Sequence, residues 1–109
     1  MTFDEYQAIS KTTDTGTVIG EHYVYLAMGL AGESGELINK VKKVFRDDGG
    51  KMTDEKKEAI KQELGDVLWY TAQLATALGF TLEDVAKSNL TKLSDRQKRD
   101  TIRGSGDER

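Results

Sequence analysis

The sequence predicts an all-α protein, built as a four-helix-bundle unit. The chain of 109 residues contains no proline. Its apolar residues recur at spacings of three and four, whereas a half-buried strand would alternate apolar and polar residues. Glycine-containing turns separate the periodic segments. Because only 37% of the residues are hydrophobic, a single chain would have a modest core, for which oligomerisation is a common remedy.

The first two helices are predicted from caps, turns and one apolar stripe. Thr2 and Glu5 have the spacing of a capping box, and a turn-like segment ends the first helix at about Thr13. The second helix is expected from Glu21 to about Arg46, where a segment with two glycines follows. Its apolar stripe consists of Leu26, Leu30, Leu37, Val41 and Val44.

The third and fourth helices are predicted to begin after Thr53 and Thr81. Acidic residues follow both threonines, and negative charge in a first turn suits the helix dipole. The third helix is expected to end at Leu78, with the stripe Ile60, Leu64, Val67, Thr71, Leu74 and Leu78. The fourth has the apolar face Leu82, Val85, Ala86, Leu90 and Leu93. Residues 1–96 thus form the predicted domain, and residues 97–109 a basic tail with Gly and Ser.

The composition excludes several classes of protein. The absence of cysteine excludes disulfides, thiolate metal sites and cysteine nucleophiles. A net charge of -3 gives no general reason to expect binding to nucleic acid or to a membrane surface. No apolar run approaches the ~20 residues of a membrane span, and the N-terminus lacks the features of a signal peptide. We therefore expect a cytoplasmic protein without a nucleic-acid or membrane partner.

Two pairs of acidic residues border the apolar stripes of the second and third helices. Glu33 and Glu36 form one pair, and Glu63 and Asp66 the other. A spacing of three places both carboxylates of a pair on one helix face, so packing of the two helices would bring four acids together. Oxygen donors favour Mg²⁺ or Mn²⁺. A di-iron site built on Glu-x-x-His pairs is excluded, because the single histidine, His22, belongs to no such pair. The alternative is a pair of solvated acidic faces.

Glycines accompany both acidic pairs. Gly35 and Gly65 lie between the acids, and Gly29, Gly32 and Gly35 repeat at a spacing of three. Each glycine in a helix interior costs roughly 1 kcal/mol relative to alanine. Close approach of two helices, or room for a ligand beside the acids, would offset this destabilisation.

Three ordered motifs resemble the MazG-like all-α nucleoside triphosphate pyrophosphohydrolases. The family signature, ExxE followed by ExxD, is matched by Gly-Leu-Ala-Gly-Glu33-Ser-Gly-Glu36-Leu and by Glu63-Leu-Gly-Asp66-Val-Leu-Trp-Tyr70. Asn89-Leu-Thr-Lys92-Leu-Ser-Asp-Arg96 is similar to the family's C-terminal Asn-x-x-Lys-x-x-x-Arg element. The ending Gly104-Ser-Gly-Asp107 resembles one branch of small proteins in the family.

The resemblance implies Mg²⁺-dependent hydrolysis of a nucleoside triphosphate to the monophosphate and pyrophosphate, by a dimer or tetramer. It implies that Glu33, Glu36, Glu63 and Asp66 bind the metal, and we assign catalytic roles to Glu33, which would orient the attacking water, and Glu36. Some relatives carry a further acid where this chain has Gly32. The number of metal ions and the identity of the base therefore stay open.

Five further residues are candidates for substrate binding. Lys40 lies on the face of the first acidic pair and could contact a phosphate or form an ion pair within the helix. Tyr70 could line the nucleotide pocket or belong to a core or an interface. Asn89, Lys92 and Arg96 share one face of the fourth helix and are expected to bind the base or sugar and the phosphates. The alternative for these cations is complementarity to the helix dipole.

Alternatives remain for the function and for the tail. Within the same fold, a phosphoribosyl-ATP pyrophosphohydrolase or a dUTPase-like enzyme is the nearest alternative to general house-cleaning of nucleotide pools. A non-catalytic helical module that binds a metal or a basic partner is the alternative from another class. The tail is either a flexible end or a segment that orders over bound phosphates.

Overall fold

The computed structural model describes residues 1–16 and 20–109 and is all-helical over them. Its helices are α1 (Phe3–Lys11), α2 (His22–Asp48), α3 (Asp54–Ala77) and α4 (Leu82–Lys98). The predicted fold class is therefore confirmed, and the observed helix ends differ from the predicted ones by one or two residues. The difference is expected because terminal turns fray and are stabilised by local caps.

Threonine caps define the starts of three helices, as the sequence predicts. Thr2, Thr53 and Thr81 each have extended backbone angles and accept a hydrogen bond from a backbone N–H in the first turn. Thr2 forms the full capping box with Glu5. Gly49, with φ of 61°, ends α2 in the left-handed conformation that glycine adopts without strain.

Helix α3 is the centre of the molecule. It forms a long hairpin with α2 and also packs against α1 and α4. No Cα atom of α4 lies within 8 Å of a Cα atom of α2 over the part of the chain that is described. The core residues are Leu26, Val44, Ala72, Ala75 and Leu82. One chain is therefore a helical hairpin with two shorter helices on one of its members, and α4 is separated from α2.

Polar contacts fix α1 on the turn between α3 and α4. The Gln7 amide donates to Thr76 Oγ1 at 2.9 Å and to the Phe80 carbonyl at 3.0 Å, and its oxygen accepts from Leu82 N at 2.8 Å. Deeper in the same interface, Gln73 donates to Ser10 Oγ at 2.8 Å. Because Gln7 bonds both ends of the turn, it fixes the direction in which α4 leaves α3.

The apolar stripes are only partly covered in the single chain. Val41 of α2, Leu64 of α3 and Leu90 of α4 are 39%, 52% and 66% exposed. Ile38 and Phe45 add further exposed apolar area on α2, at 67% and 68%. Ile38, Val41 and Phe45 recur at spacings of three and four, so they share one face of α2. Across the described chain, no helix combines the length and apolar character that a bilayer crossing requires.

Candidate metal and nucleotide site

Three carboxylates from the facing helices of the α2–α3 hairpin converge. One oxygen each from Glu33, Glu63 and Asp66 lies within 4.8 Å of the other two. Glu33 and Glu63 are half-buried and Asp66 is exposed. We call these three residues the acidic cluster. The hairpin packing therefore joins the first predicted acidic pair to the second through Glu33.

The acidic cluster carries a surplus of negative charge. Partial burial raises the pKa of Glu33, and the charges of Asp66, Glu63 and Glu36 raise it further. Lys40 Nζ lies 3.6 Å from Glu63 Oε1, and Glu33 and Asp66 have no cationic partner over residues 1–16 and 20–109. Like charges at this separation disfavour ionisation unless a cation joins them, so the cluster suits a divalent ion with oxygen ligands.

Lys40 and Glu36, two residues of α2 that were predicted from sequence, differ in how they relate to this cluster. Lys40 forms its ion pair across the hairpin with Glu63, whereas the sequence suggested a pair with Glu36 on the same helix. Glu36 itself is exposed and lies outside the group of three, but its charge contributes to the raised pKa of Glu33. Its role as a metal ligand and catalytic residue therefore stays a prediction.

Tyrosines line one side of the acidic cluster. Burial raises the pKa of Tyr70, followed by the effects of Tyr25, Glu33 and Asp66. Burial also raises the pKa of Tyr6 on α1, with a further contribution from the charge of Asp66. Tyr6 and Tyr25 were not among the residues predicted from sequence. The spacing of four between Tyr25, Gly29 and Glu33 could have identified Tyr25, but no local signal in α1 identifies Tyr6.

The glycines of the hairpin serve two different purposes. A Cβ atom on Gly29 would lie 2.0 Å from Tyr70 Cε1, so this glycine allows the Tyr70 ring to pack on the α2 backbone. Cβ atoms on Gly32, Gly35 and Gly65 would meet no atom within 4 Å. Tight packing, one of the two alternatives from the sequence, therefore applies at Gly29, whereas room for a ligand at the other three glycines stays a prediction.

The basic residues of α4 are paired with the end of their own chain. Lys92 Nζ lies 3.1 Å from Asp107 Oδ1. Arg96 Nη2 donates to the Asp107 carbonyl at 2.8 Å and to its Oδ1 at 3.2 Å. The third member of the predicted face, Asn89, is exposed and lines an open groove of 420 Å³ together with Phe80, Asp84, Val85, Ser88 and Lys92. The structure thus joins Lys92 and Arg96 to Asp107, and no described contact joins them to the acidic cluster.

The tail folds back on α4. We call residues 100–109 the C-terminal loop. Arg99 donates to the Arg109 carbonyl at 2.8 Å, and Arg109 Nε in turn donates to the Thr101 carbonyl at 3.3 Å. The structure therefore has the chain end held by hydrogen bonds to its own chain, and both alternatives for the tail stay predictions.

Comparisons with known proteins identify the same region. Residues 22–100 match the model of the MazG nucleotide pyrophosphohydrolase domain. The chain is 52% identical over 85 residues to the Gene 37 protein of Mycobacterium phage L5, with 78% of this chain and 75% of that protein covered. That protein's name states no activity. No solved structure matches.

Proposed function

Because the chain belongs to the MazG nucleotide pyrophosphohydrolase family, we propose that it hydrolyses nucleoside triphosphates to the monophosphate and pyrophosphate with a divalent metal ion. The observation that carries this proposal is the acidic cluster, with three carboxylate oxygens within 4.8 Å of one another. House-cleaning of cellular nucleotide pools is the role that we propose for the activity.

The residues present fit Mg²⁺ or Mn²⁺. All donors of the acidic cluster are carboxylates, and the surplus charge disfavours the cluster without a cation. Glu33, Glu63 and Asp66 would hold the ion, with Glu36 as the fourth proposed ligand. When bound, the ion supplies stabilisation of phosphate charge and a lower pKa for a water molecule.

The chain's own side chains then position the reaction. Glu33 belongs to the group of carboxylates that converge, where it would orient the attacking water beside the metal ion. The Lys40 ammonium lies beside Glu63 and is placed to contact a phosphate oxygen. The Tyr70 ring packs against Gly29 and interacts electrostatically with Glu33 and Asp66. In this position it would line the nucleotide pocket and exclude water.

Assembly as a dimer or tetramer is part of the proposal. The exposed apolar residues of α2 and α3 support it, because burying a surface of this kind is the usual source of stability for oligomers. The separation of α4 from α2 also supports it, since among the described helices α2 packs against α3 alone, which leaves its other side for a second chain. Light scattering of wild type and of Phe45→Lys tests it, and a monomeric wild type would contradict it.

A panel of nucleotides tests the activity. Purified protein is incubated with Mg²⁺ and each (d)NTP, dUTP or phosphoribosyl-ATP, and pyrophosphate release is measured. We expect release that stops when the metal is chelated and in Glu63→Gln, but not in the control Glu58→Gln, an exposed residue of the same helix.

The same panel separates the alternatives. Turnover of dUTP alone, or of phosphoribosyl-ATP alone, would replace the general activity by one of the two narrower enzymes. No pyrophosphate from any nucleotide, with metal still bound by the acidic cluster, would leave the non-catalytic metal-binding module.

A further inference from the structure

We propose that Asp107 is an internal competitor for the phosphate-binding cations Lys92 and Arg96, and that a polyphosphate displaces the C-terminal loop when it binds. The inference rests on the proposed function only in taking these two cations as phosphate ligands. In this proposal the C-terminal loop covers Lys92 and Arg96 in the absence of substrate and moves away from them when substrate binds.

The contacts of Asp107 are those of an anion held between two cations. Its Oδ1 lies 3.1 Å from Lys92 Nζ and 3.2 Å from Arg96 Nη2, and its carbonyl oxygen lies 2.8 Å from the same Nη2. Lys92 and Arg96 are one turn apart on α4, where their charges repel unless an anion lies between them. A phosphate presents the same kind of oxygen to the same donors, so it competes for them directly.

Solvent reaches Asp107 but hardly reaches Arg96. The Arg96 side chain is 5% exposed, whereas the Asp107 side chain that lies on it is 83% exposed. A phosphate in solution therefore reaches Asp107 but not Arg96. If Arg96 binds a phosphate, Asp107 has to leave first.

The C-terminal loop is closed by hydrogen bonds of its own. The Arg109 guanidinium donates to the carbonyls of Thr101, at 3.3 Å, and Ile102, at 3.2 Å, and to that of Gly106. These three bonds lie within the loop. Two more bonds join the loop to the end of α4, since Thr101 N donates to the Arg96 carbonyl and Arg99 donates to the Arg109 carbonyl, each at 2.8 Å. Asp100, with φ of 56°, lies at the start of the loop, in a conformation that is sparsely populated for residues other than glycine.

The strengths of the competing contacts favour displacement. Ion pairs with an exposed member are worth about 0–1 kcal/mol. A polyphosphate offers several charged oxygens to the two cations, whereas Asp107 offers them one carboxylate oxygen and its carbonyl oxygen, so a polyphosphate can form more charge-assisted bonds. Asp107 therefore lowers the apparent affinity for the substrate without preventing its binding.

The test measures binding of pyrophosphate to the full-length, metal-free protein by calorimetry. We expect Asp107→Asn to bind pyrophosphate about fivefold more tightly than wild type, the ratio that corresponds to about 1 kcal/mol. Glu108→Gln is the matched control, because it removes the same charge from the neighbouring residue of the loop, and we expect it to bind within about twofold of wild type. Equal or weaker binding by Asp107→Asn would overturn the proposal, since a carboxylate that positions the cations would weaken binding when removed.

A second measurement follows the loop itself. Trypsin cleavage after Arg103, which lies within the loop, is timed with and without pyrophosphate. We expect pyrophosphate to accelerate cleavage of wild type and to add little in Asp107→Asn, whose loop is already released. Cleavage of wild type that is slower with pyrophosphate would also overturn the proposal. Failure of the proposed function is a separate outcome. In that case no variant releases pyrophosphate from nucleotides, while Asp107→Asn still binds pyrophosphate more tightly than wild type.

Discussion

The acidic cluster and the basic residues of α4 are two charged regions with opposite local balances. The acidic cluster brings three carboxylates together and has Lys40 as its cationic partner. Lys92 and Arg96 are joined by Asp107, which lies between them. The first region therefore lacks counter-charge and gains stability from an added cation, whereas the second already holds an anion, which an incoming anion has to replace. In the proposed function, a nucleoside triphosphate with its metal ion brings the cation that the first region lacks and the anion that replaces Asp107 in the second.

The largest expected effect comes from removing a carboxylate of the acidic cluster. We expect Asp66→Asn to lower kcat for pyrophosphate release by about 100-fold, because a group that fixes charge at the reacting centre is worth several kcal/mol in the transition state. Steady-state kinetics with Mg²⁺ over a range of nucleotide concentrations measures it. A change confined to KM would show that Asp66 only binds the substrate.

A smaller effect, on the free energy of unfolding, is expected from a substitution at Gly29, where the Tyr70 ring packs on the α2 backbone. Gly29→Ala would place a Cβ atom 2.0 Å from Tyr70 Cε1, and overpacking of this kind destabilises by about 1–3 kcal/mol. Gly32→Ala is the matched control one turn away. It meets no atom within 4 Å and should stabilise by up to about 1 kcal/mol through helix propensity. Urea denaturation measures both, and equal shifts would contradict the structure of the hairpin.

The basic residues should affect substrate binding more than chemistry. We expect Lys92→Ala to raise KM about tenfold and to leave kcat within about twofold. The rise in KM corresponds to the loss of one hydrogen bond to a charged group. Lys87→Ala is the control, since Lys87 lies on α4 and pairs with Glu83 instead. If kcat falls as far as in Asp66→Asn, the contrast between the two regions fails.

The smallest effect concerns the surplus charge of the acidic cluster. We expect Glu33→Gln to stabilise the metal-free protein by about 0.5–1 kcal/mol, because it removes like-charge repulsion. Thermal unfolding in chelator measures the change, and Mg²⁺ should reverse it by stabilising wild type more than the variant. Glu36→Gln is the control, and its smaller effect follows from its position outside the group of three.

The same repulsion gives a pH dependence with a defined sign. The pKa of Glu33 is raised in the folded protein, so the folded state binds the proton more tightly than the unfolded state. Metal-free wild type should therefore gain stability relative to Glu33→Gln as the pH falls from about 7 to about 5, above the ordinary pKa of glutamate. The pKa values of Asp14, Asp47 and Asp107 are lowered in the folded protein. These carboxylates therefore have the opposite effect, because the stability that depends on their ionised form is lost as the pH falls. A stability difference that does not vary over this range would contradict the raised pKa.

Much of the candidate site could be predicted because its signals are local. The spacing of Glu63 and Asp66 places them on one face of α3, and the match of three ordered motifs indicates the family. Lys40 shows where local reasoning fails. The ion pair that the sequence suggested for it was with Glu36 on its own helix, whereas the observed partner, Glu63, belongs to another helix. Tyr6 shows the same limit, since its proximity to Asp66 depends on how α1 packs against α3.

The sequence by itself determined the helices, their threonine caps, the glycine that ends α2, and the carboxylates available for a metal. These features depend on interactions within a few residues, which a periodic pattern records directly. Only the tertiary structure decided which carboxylates meet, which glycine receives the Tyr70 ring, and that Asp107 lies between Lys92 and Arg96. Those outcomes depend on the register of α3 against α2 and on the path of the chain after α4, both of which are set by packing between residues distant in sequence.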